Sequence, residues 1–220
     1  MILHAIRHGQ SLTNAGLDSS LNSDLSPHGV RQVERLAERF RGMPIRAIYA
    51  SPLNRCLQTA LPIAQALGLP IRVRRELFEY HGLSPGSVAD LVLHRPSDFA
   101  YRPDGIRLDP DIPAFEDWPR VDETRQDMID RTRCLTQYLM DRWPAPNDVV
   151  LVISHGSPIA RLIDAWLTDQ SGPSFRFVIE NATVNTVRYA DGVRSLISLN
   201  EASHLVGLGN TGLNKSTEAW

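Results

Sequence analysis

Ile2-Leu3-His4-Ala5-Ile6-Arg7-His8-Gly9 governs how the rest of the chain reads. Its first five residues are mostly apolar and have the length of a buried strand, which stops at an arginine, a histidine and a glycine. The pattern returns at Val149-Val150-Leu151-Val152-Ile153-Ser154-His155-Gly156. A third run, Ile45–Ala50, leads into Ser51-Pro52-Leu53-Asn54-Arg55. Between these runs apolar residues recur at helical spacing. One set is Val30, Val33, Leu36, Ala37 and Phe40; a second is Leu57, Ala60, Leu61, Ala64 and Leu67, ended by Gly68. Ile129, Leu135 and Leu139 mark a longer helix over about 122–142, and Ile159, Leu162, Ile163 and Trp166 mark another. Strands alternating with helices predict an α/β fold with a largely parallel sheet. Late strands are expected at 175–179, 184–189 and 194–199, the last two joined by a hairpin turn at Asp191-Gly192.

Two histidines at equivalent strand ends, each followed by glycine, point to a site where backbone approaches a ligand closely. Ser26-Pro27, Ser51-Pro52 and Ser157-Pro158 each predict a helix start, with serine as cap and proline at the first helical position. Two of these starts follow an apolar strand directly. Helix N-termini then gather at the carboxyl ends of the strands, where open α/β sheets bind ligands and free amides favour an anion. Arg55 falls on one such first turn.

Composition narrows the class. The chain has 220 residues, 42% hydrophobic and 22% charged, which fits a globular domain that needs no disulfide or structural metal to fold. The net charge of −2 gives no general affinity for nucleic acid or anionic membrane. The two cysteines, Cys56 and Cys134, lie inside helical patterns and read as small buried apolar residues, and no Cys/His spacing predicts a zinc site. The first residues lack the basic and long apolar regions of a signal peptide, and no apolar run is long enough to span a bilayer, so a cytoplasmic location is expected. Of the 23 basic residues only Lys215 is not arginine, a skew read mainly as coding bias.

Residues 80–120 hold six of the 15 prolines, so regular structure is expected to be broken there. The stretch reads as an insertion, a lid over one edge of the fold. Residues 207–220, rich in Gly, Asn and Thr, read as a loose tail, leaving 1–206 as one domain.

With these strand ends in view, the chain resembles the histidine phosphatase superfamily, also called the phosphoglycerate-mutase-like family. The resemblance rests on R-H-G-Q-S-L-T-N (7–14), L-S-P-H-G-V-R-Q (25–32), S-P-L-N-R-C-L-Q-T-A (51–60), L-F-E (77–79), D-E-T (122–124), V-I-S-H-G (152–156) and L-N-E-A-S-H-L (199–205). It implies a three-layer α/β/α sandwich with a mostly parallel central sheet and one antiparallel edge. It also implies that His8 is a nucleophile carrying a phosphohistidine. Arg7, Arg55 and His155 would hold the phosphoryl oxygens, Asn14 would add a donor, and Glu79 would be the general acid. Glu76 is the alternative acid. Gly82 follows Glu79 after three residues where the family usually has four. His204 reads as structural.

The chemistry of phosphate esters suits these residue types. In-line phosphoryl transfer needs positioning and charge stabilisation, which two guanidinium forks can supply without a metal. A nucleophilic imidazole must be neutral, whereas a second histidine can be cationic and donate. The expected activity is a metal-independent phosphomonoesterase acting on a small phosphate ester, with no cofactor. The alternatives are a phosphoglycerate-mutase-type phosphotransferase and a non-catalytic phosphate-binding module. The mutase subgroup typically carries Glu-Arg-His-Tyr-Gly after its acid; here Tyr80-His81-Gly82-Leu83 follows Glu79, with no lysine nearby, which favours hydrolysis. All four core residues of the motif set are present, which disfavours the binding module. Residues 80–120 carry seven acidic and four basic residues, an excess that disfavours multiply phosphorylated substrates. Trp118, Phe115 and Tyr101 are available to pack on an apolar part of the substrate. Nothing in the sequence sets the oligomeric state.

Overall fold

The computed structural model describes residues 1–79, 106–108, 123–168, 177–209 and 211. The expected lid lies outside these residues apart from 106–108, as do Tyr101, Phe115, Trp118 and the tail beyond 211. Among the described residues seven strands form one sheet: β1 (Ile2–Arg7), β2 (Ile45–Ala50), β3 (Ile71–Val73), β4 (Ile106–Leu108), β5 (Val149–Ser154), β6 (Val184–Ala190) and β7 (Val193–Glu201). Their order is β4-β3-β2-β5-β1-β6-β7. The pairs from β4 through to β1 are parallel, and β6 runs antiparallel to both β1 and β7. The hairpin turn is as read from sequence: Asp191 and Gly192 take φ of 54° and 77°, the left-handed pair that a tight hairpin requires.

Among the described residues four α-helices cover the sheet: α1 (Pro27–Phe40), α2 (Asn54–Leu67), α3 (Arg125–Arg142) and α4 (Gly156–Leu167). The two-residue period of a strand sorts the side chains of β5 between layers. Val149, Leu151 and Ile153 join Leu36, Phe40, Leu57 and Ile63 of α1 and α2. Val150 and Val152 join Leu135, Leu139, Ile159 and Trp166 of α3 and α4. Both faces of β5 are buried, which is why its sequence is continuously apolar rather than alternating. No helix among the described residues is long and apolar enough to cross a membrane.

Several expectations need correction. Only the first Ser-Pro pair caps a helix: the Ser26 hydroxyl accepts from Gly29 N at 3.0 Å with Pro27 in the first turn. α2 starts at Asn54 behind Leu53, and α4 starts at Gly156 behind His155. The Ser51 hydroxyl lies outside the helix, bonding the ring of His155 at 2.8 Å and accepting from Leu53 N at 3.5 Å. Of the Val30 set, Val30 itself is exposed. Cys56 is buried but Cys134 is exposed, because it precedes the inward-facing Leu135 on α3 and points away from the sheet. Of the strand expected at 175–179, the described residues 177–179 form none; the Ile179 carbonyl instead accepts from the Arg7 side chain at the end of β1. Ile106–Leu108 is a strand within the proline-rich stretch, on a proline-free run of the sequence between Pro103 and Pro110.

Candidate active site

The register Arg7↔Ser154 places the ends of β1 and β5 side by side, so the next residues on each strand, His8 and His155, become neighbours. Their rings meet edge to face with centroids 5.1 Å apart. The β5 end is tied to both neighbours: His8 N donates to Ser154 O, and Ser51 N donates to Ile153 O, both at 3.0 Å. Strand alternation sends Arg7 and His8 to opposite faces. Arg7 lies beside α4, with its guanidinium 3.8 Å from where a Cβ on Gly156 would sit. His8 lies beside α2, where Arg55 projects from the first turn.

His8 is buried, and its two ring nitrogens have different partners. Nδ1 donates to Gly9 O at 2.7 Å, leaving Nε2 as the acceptor of Arg55 Nε–H at 3.2 Å. Burial lowers the His8 pKa well below the usual imidazole range, and repulsion from Arg55 and Arg7 lowers it further against the opposing bond to Gly9. The ring is therefore neutral, with its lone pair on Nε2. Arg55 also donates Nη1 to Leu21 O at 2.7 Å, and Arg7 donates Nη1 to Ile179 O at 2.6 Å. Both guanidiniums are lowered from their ordinary pKa by burial and supported by the carboxylate of Glu79. Two guanidiniums beside a neutral imidazole make a charge arrangement suited to a dianion.

Glu79 comes to this cluster, with Oε2 4.0 Å from His155 Nδ1. Glu76 does not. Both its carboxylate oxygens are taken by Arg74, at 2.7 and 3.2 Å. The L-F-E block is docked by Ser154, whose hydroxyl donates to Leu77 O at 2.6 Å, and by Arg131, which donates to Glu76 O at 2.5 Å. Asn14 lies in the loop after β1. Its Oδ1 accepts from Ser11 N at 3.4 Å and from Asn181 Nδ2 at 3.3 Å. His204 bonds Ala182 O at 2.9 Å, a structural contact. His81 lies outside the described residues. Among the described residues no group of three or more His, Cys, Asp or Glu side chains is arranged to hold a metal ion.

The profile of the histidine phosphatase superfamily (branch 1) matches residues 3–202. The chain belongs to that superfamily. This histidine phosphatase is 26% identical over 205 residues to phosphoserine phosphatase 1 of Hydrogenobacter thermophilus, covering 91% of this chain and 92% of that one. It is 32% identical over 174 residues to the glucosyl-3-phosphoglycerate phosphatase of Mycolicibacterium vanbaalenii, covering 74% and 72%. Mycobacterial glucosyl-3-phosphoglycerate phosphatase complexed with VO3 superposes with a TM-score of 0.64 at 25% identity, over 91% of this chain and 98% of that one.

Several residues that shape the site of this histidine phosphatase were not assigned a part in the sequence. Ser51 Oγ lies 2.8 Å from His155 Nε2. The Cys56 thiol packs 3.4 Å from the same nitrogen, its pKa pushed up to about 12 by burial, so it remains protonated. Thr59 receives Gly9 N–H at 3.1 Å and donates to Arg55 O at 2.6 Å, tying the loop after β1 to α2. Gly29 matters through contact: a Cβ there would sit 2.1 Å from Gln10 O, so α1 can pack on that loop only with glycine at this place. Ser51, Thr59 and Gly29 fall inside motif blocks and were legible as such. Asn181 falls in none.

Proposed function

We propose that this chain is a metal-independent phosphomonoesterase that hydrolyses a small, singly phosphorylated metabolite through a phosphohistidine on His8. The observation that carries the reading is the His8 ring, neutral and fixed by Gly9 O, with Nε2 against a guanidinium that can also hold a phosphoryl oxygen. In the first step Nε2 bonds to phosphorus as the ester P–O bond breaks, and protonated Glu79 gives its proton to the leaving oxygen. In the second, Glu79 takes a proton from water, the water oxygen bonds to phosphorus, and the Nε2–P bond breaks. Arg7, Arg55 and His155 stabilise the equatorial oxygens throughout, with Asn14 adding a donor. The guanidiniums provide the charge that a metal supplies in other phosphoryl transfer sites.

The relatives named as phosphatases support hydrolysis as the reaction. The acidic excess of residues 80–120 supports a substrate with one phosphate rather than several. We read 1–206 as one domain with that stretch as its lid, because the sheet takes strands from both ends of the range. Two free thiols fit a reducing cytoplasm. The test is phosphate release from an aryl phosphate across pH 4–9, with and without chelator, alongside His8→Ala. Chelator-resistant turnover lost in His8→Ala is expected. Turnover that a chelator abolishes would contradict the metal-independent mechanism, and turnover only with a bisphosphate primer would favour a mutase.

A further inference from the structure

Asn181 is fully buried between the nucleophile strand and Asn14. Its Nδ2 donates to the main-chain carbonyl of His8 at 3.0 Å and to Asn14 Oδ1 at 3.3 Å. Its own Oδ1 is buried and accepts no hydrogen bond. That arrangement has one orientation. Turning the amide over would set Oδ1 against two acceptor oxygens, so the donor end faces His8 and Asn14 even though the other end goes unsatisfied.

The consequence falls on Asn14. Both bonds to its side chain, from Ser11 N and Asn181 Nδ2, arrive at Oδ1. Its Nδ2 is then the end left for a ligand, and it carries no hydrogen bond among the described residues. The backbone around Asn181 is equally constrained. Ala182 holds a left-handed φ of 56° while fully buried, and its N–H donates to Arg7 O and His8 O at 2.9 and 3.2 Å. Asn181 N donates to Thr211 O at 2.8 Å. Asn200 accepts from Glu180 N at 2.9 Å and from the Thr183 hydroxyl at 3.0 Å, clamping the segment from the other side. A strained, clamped turn carrying an under-satisfied buried amide is a costly way to fill a core.

We infer that Asn181 is a positioning residue for phosphoryl transfer: anchored on the main-chain carbonyl of His8, it holds Asn14 with its Nδ2 directed at a phosphoryl oxygen. The inference rests on the reading of Asn14 as a phosphate donor. It names no contact between Asn181 and the substrate; Asn181 acts through Asn14.

The test is a double-mutant cycle on kcat/KM for an aryl phosphate, with thermal midpoints and inhibition by inorganic phosphate measured on every variant. The variants are Asn14→Ala, Asn181→Ala and the combination, with Asn181→Ser as a smaller perturbation that keeps a polar group but is too short to span both oxygens. Each single change is expected to lower kcat/KM roughly 10- to 100-fold and to weaken phosphate inhibition, as loss of one charge-assisted bond does. The double variant should be no worse than the more impaired single. Multiplicative losses would overturn the inference, as would normal kinetics in Asn181→Ser alongside an impaired Asn14→Ala. Normal kinetics and normal phosphate inhibition in Asn14→Ala would overturn it by a different route, by removing Asn14 as the donor. A purely structural role would lower the midpoint of the Asn181 variants and leave the two losses independent.

Discussion

Arg55 Nε–H donates to His8 Nε2 across 3.2 Å, while the same guanidinium reaches Leu21 O from Nη1. A planar fork can make both bonds and still present Nη2 to a ligand; a lysine ammonium on a flexible stem cannot. Arg55→Lys keeps the charge and loses the fork. We expect kcat/KM to fall by roughly 100-fold, with most of the loss in kcat. Steady-state kinetics on an aryl phosphate measure this, and a lysine enzyme equal to the parent would mean that only charge is required at this position.

Glu76, within the 3-10 turn at Arg75–Leu77, and Glu79, two residues after it, should separate cleanly. Glu76 is committed to Arg74, so Glu76→Gln should leave catalysis near the parent level. Glu79→Gln should cost roughly 100- to 10,000-fold on an alkyl phosphate, whose leaving oxygen needs a proton. On a nitrophenyl ester the first step survives and the second stalls. Rapid mixing should then show a burst of about one phenol per site, since water activation also needs Glu79. A variant with no burst and full turnover would remove Glu79 from the mechanism.

Gly29 and the loop at Gln10 are in closer contact than any side chain allows. Gly29→Ala must push Gln10 away, and the neighbouring loop residues with it, because the clash is with main chain. Destabilisation of about 2 kcal/mol is expected, read as a lower urea midpoint, together with lower kcat/KM because His8 and Asn14 flank that loop. An unchanged midpoint would show that α1 can move off the loop at no cost.

Acid should weaken the fold before the carboxylates titrate. Burial and repulsion from Arg39 lower the pKa of His4 from 6.5 to about 4. Between those values the unfolded chain binds a proton that the folded chain does not. Stability is therefore full above pH 6.5 and is lost as pH falls toward 4. Between pH 6.5 and 5 this amounts to about 2 kcal/mol from His4. His8 and His204 are shifted in the same direction and add to it. Urea unfolding at pH 7 and pH 5 should show the loss, reduced in His4→Asn. Equal pH dependence in both proteins would contradict the assignment to His4.

The parts of the fold legible in the sequence are those with dense local signals. β1, β2 and β5 are mostly apolar runs because both of their faces are largely covered, and Asp191-Gly192 announces its own turn. β3 and β4, at three residues each, are too short to leave a period, and the second sits among prolines. Two of the three Ser-Pro pairs do not cap their helices. The Ser51 hydroxyl makes a long-range bond to His155 besides accepting from Leu53 N, and nothing near Ser51 in sequence reveals the distant partner. Residues 7, 8, 55 and 155 were readable because each stands at a strand or helix end. Asn181 was not, since its partners are His8 and Asn14 and its own surroundings carry no periodic signal.

The most direct test of the central claim is to trap the intermediate. The enzyme would be mixed with labelled substrate, quenched within milliseconds, kept at alkaline pH to preserve phosphoimidazole, and digested for mass analysis. The prediction is stoichiometric phosphate on the peptide containing His8, labile to acid, absent in His8→Ala, and accumulating in Glu79→Gln with a nitrophenyl ester. Turnover without any phosphorylated His8, or with phosphate on another residue, would contradict the mechanism.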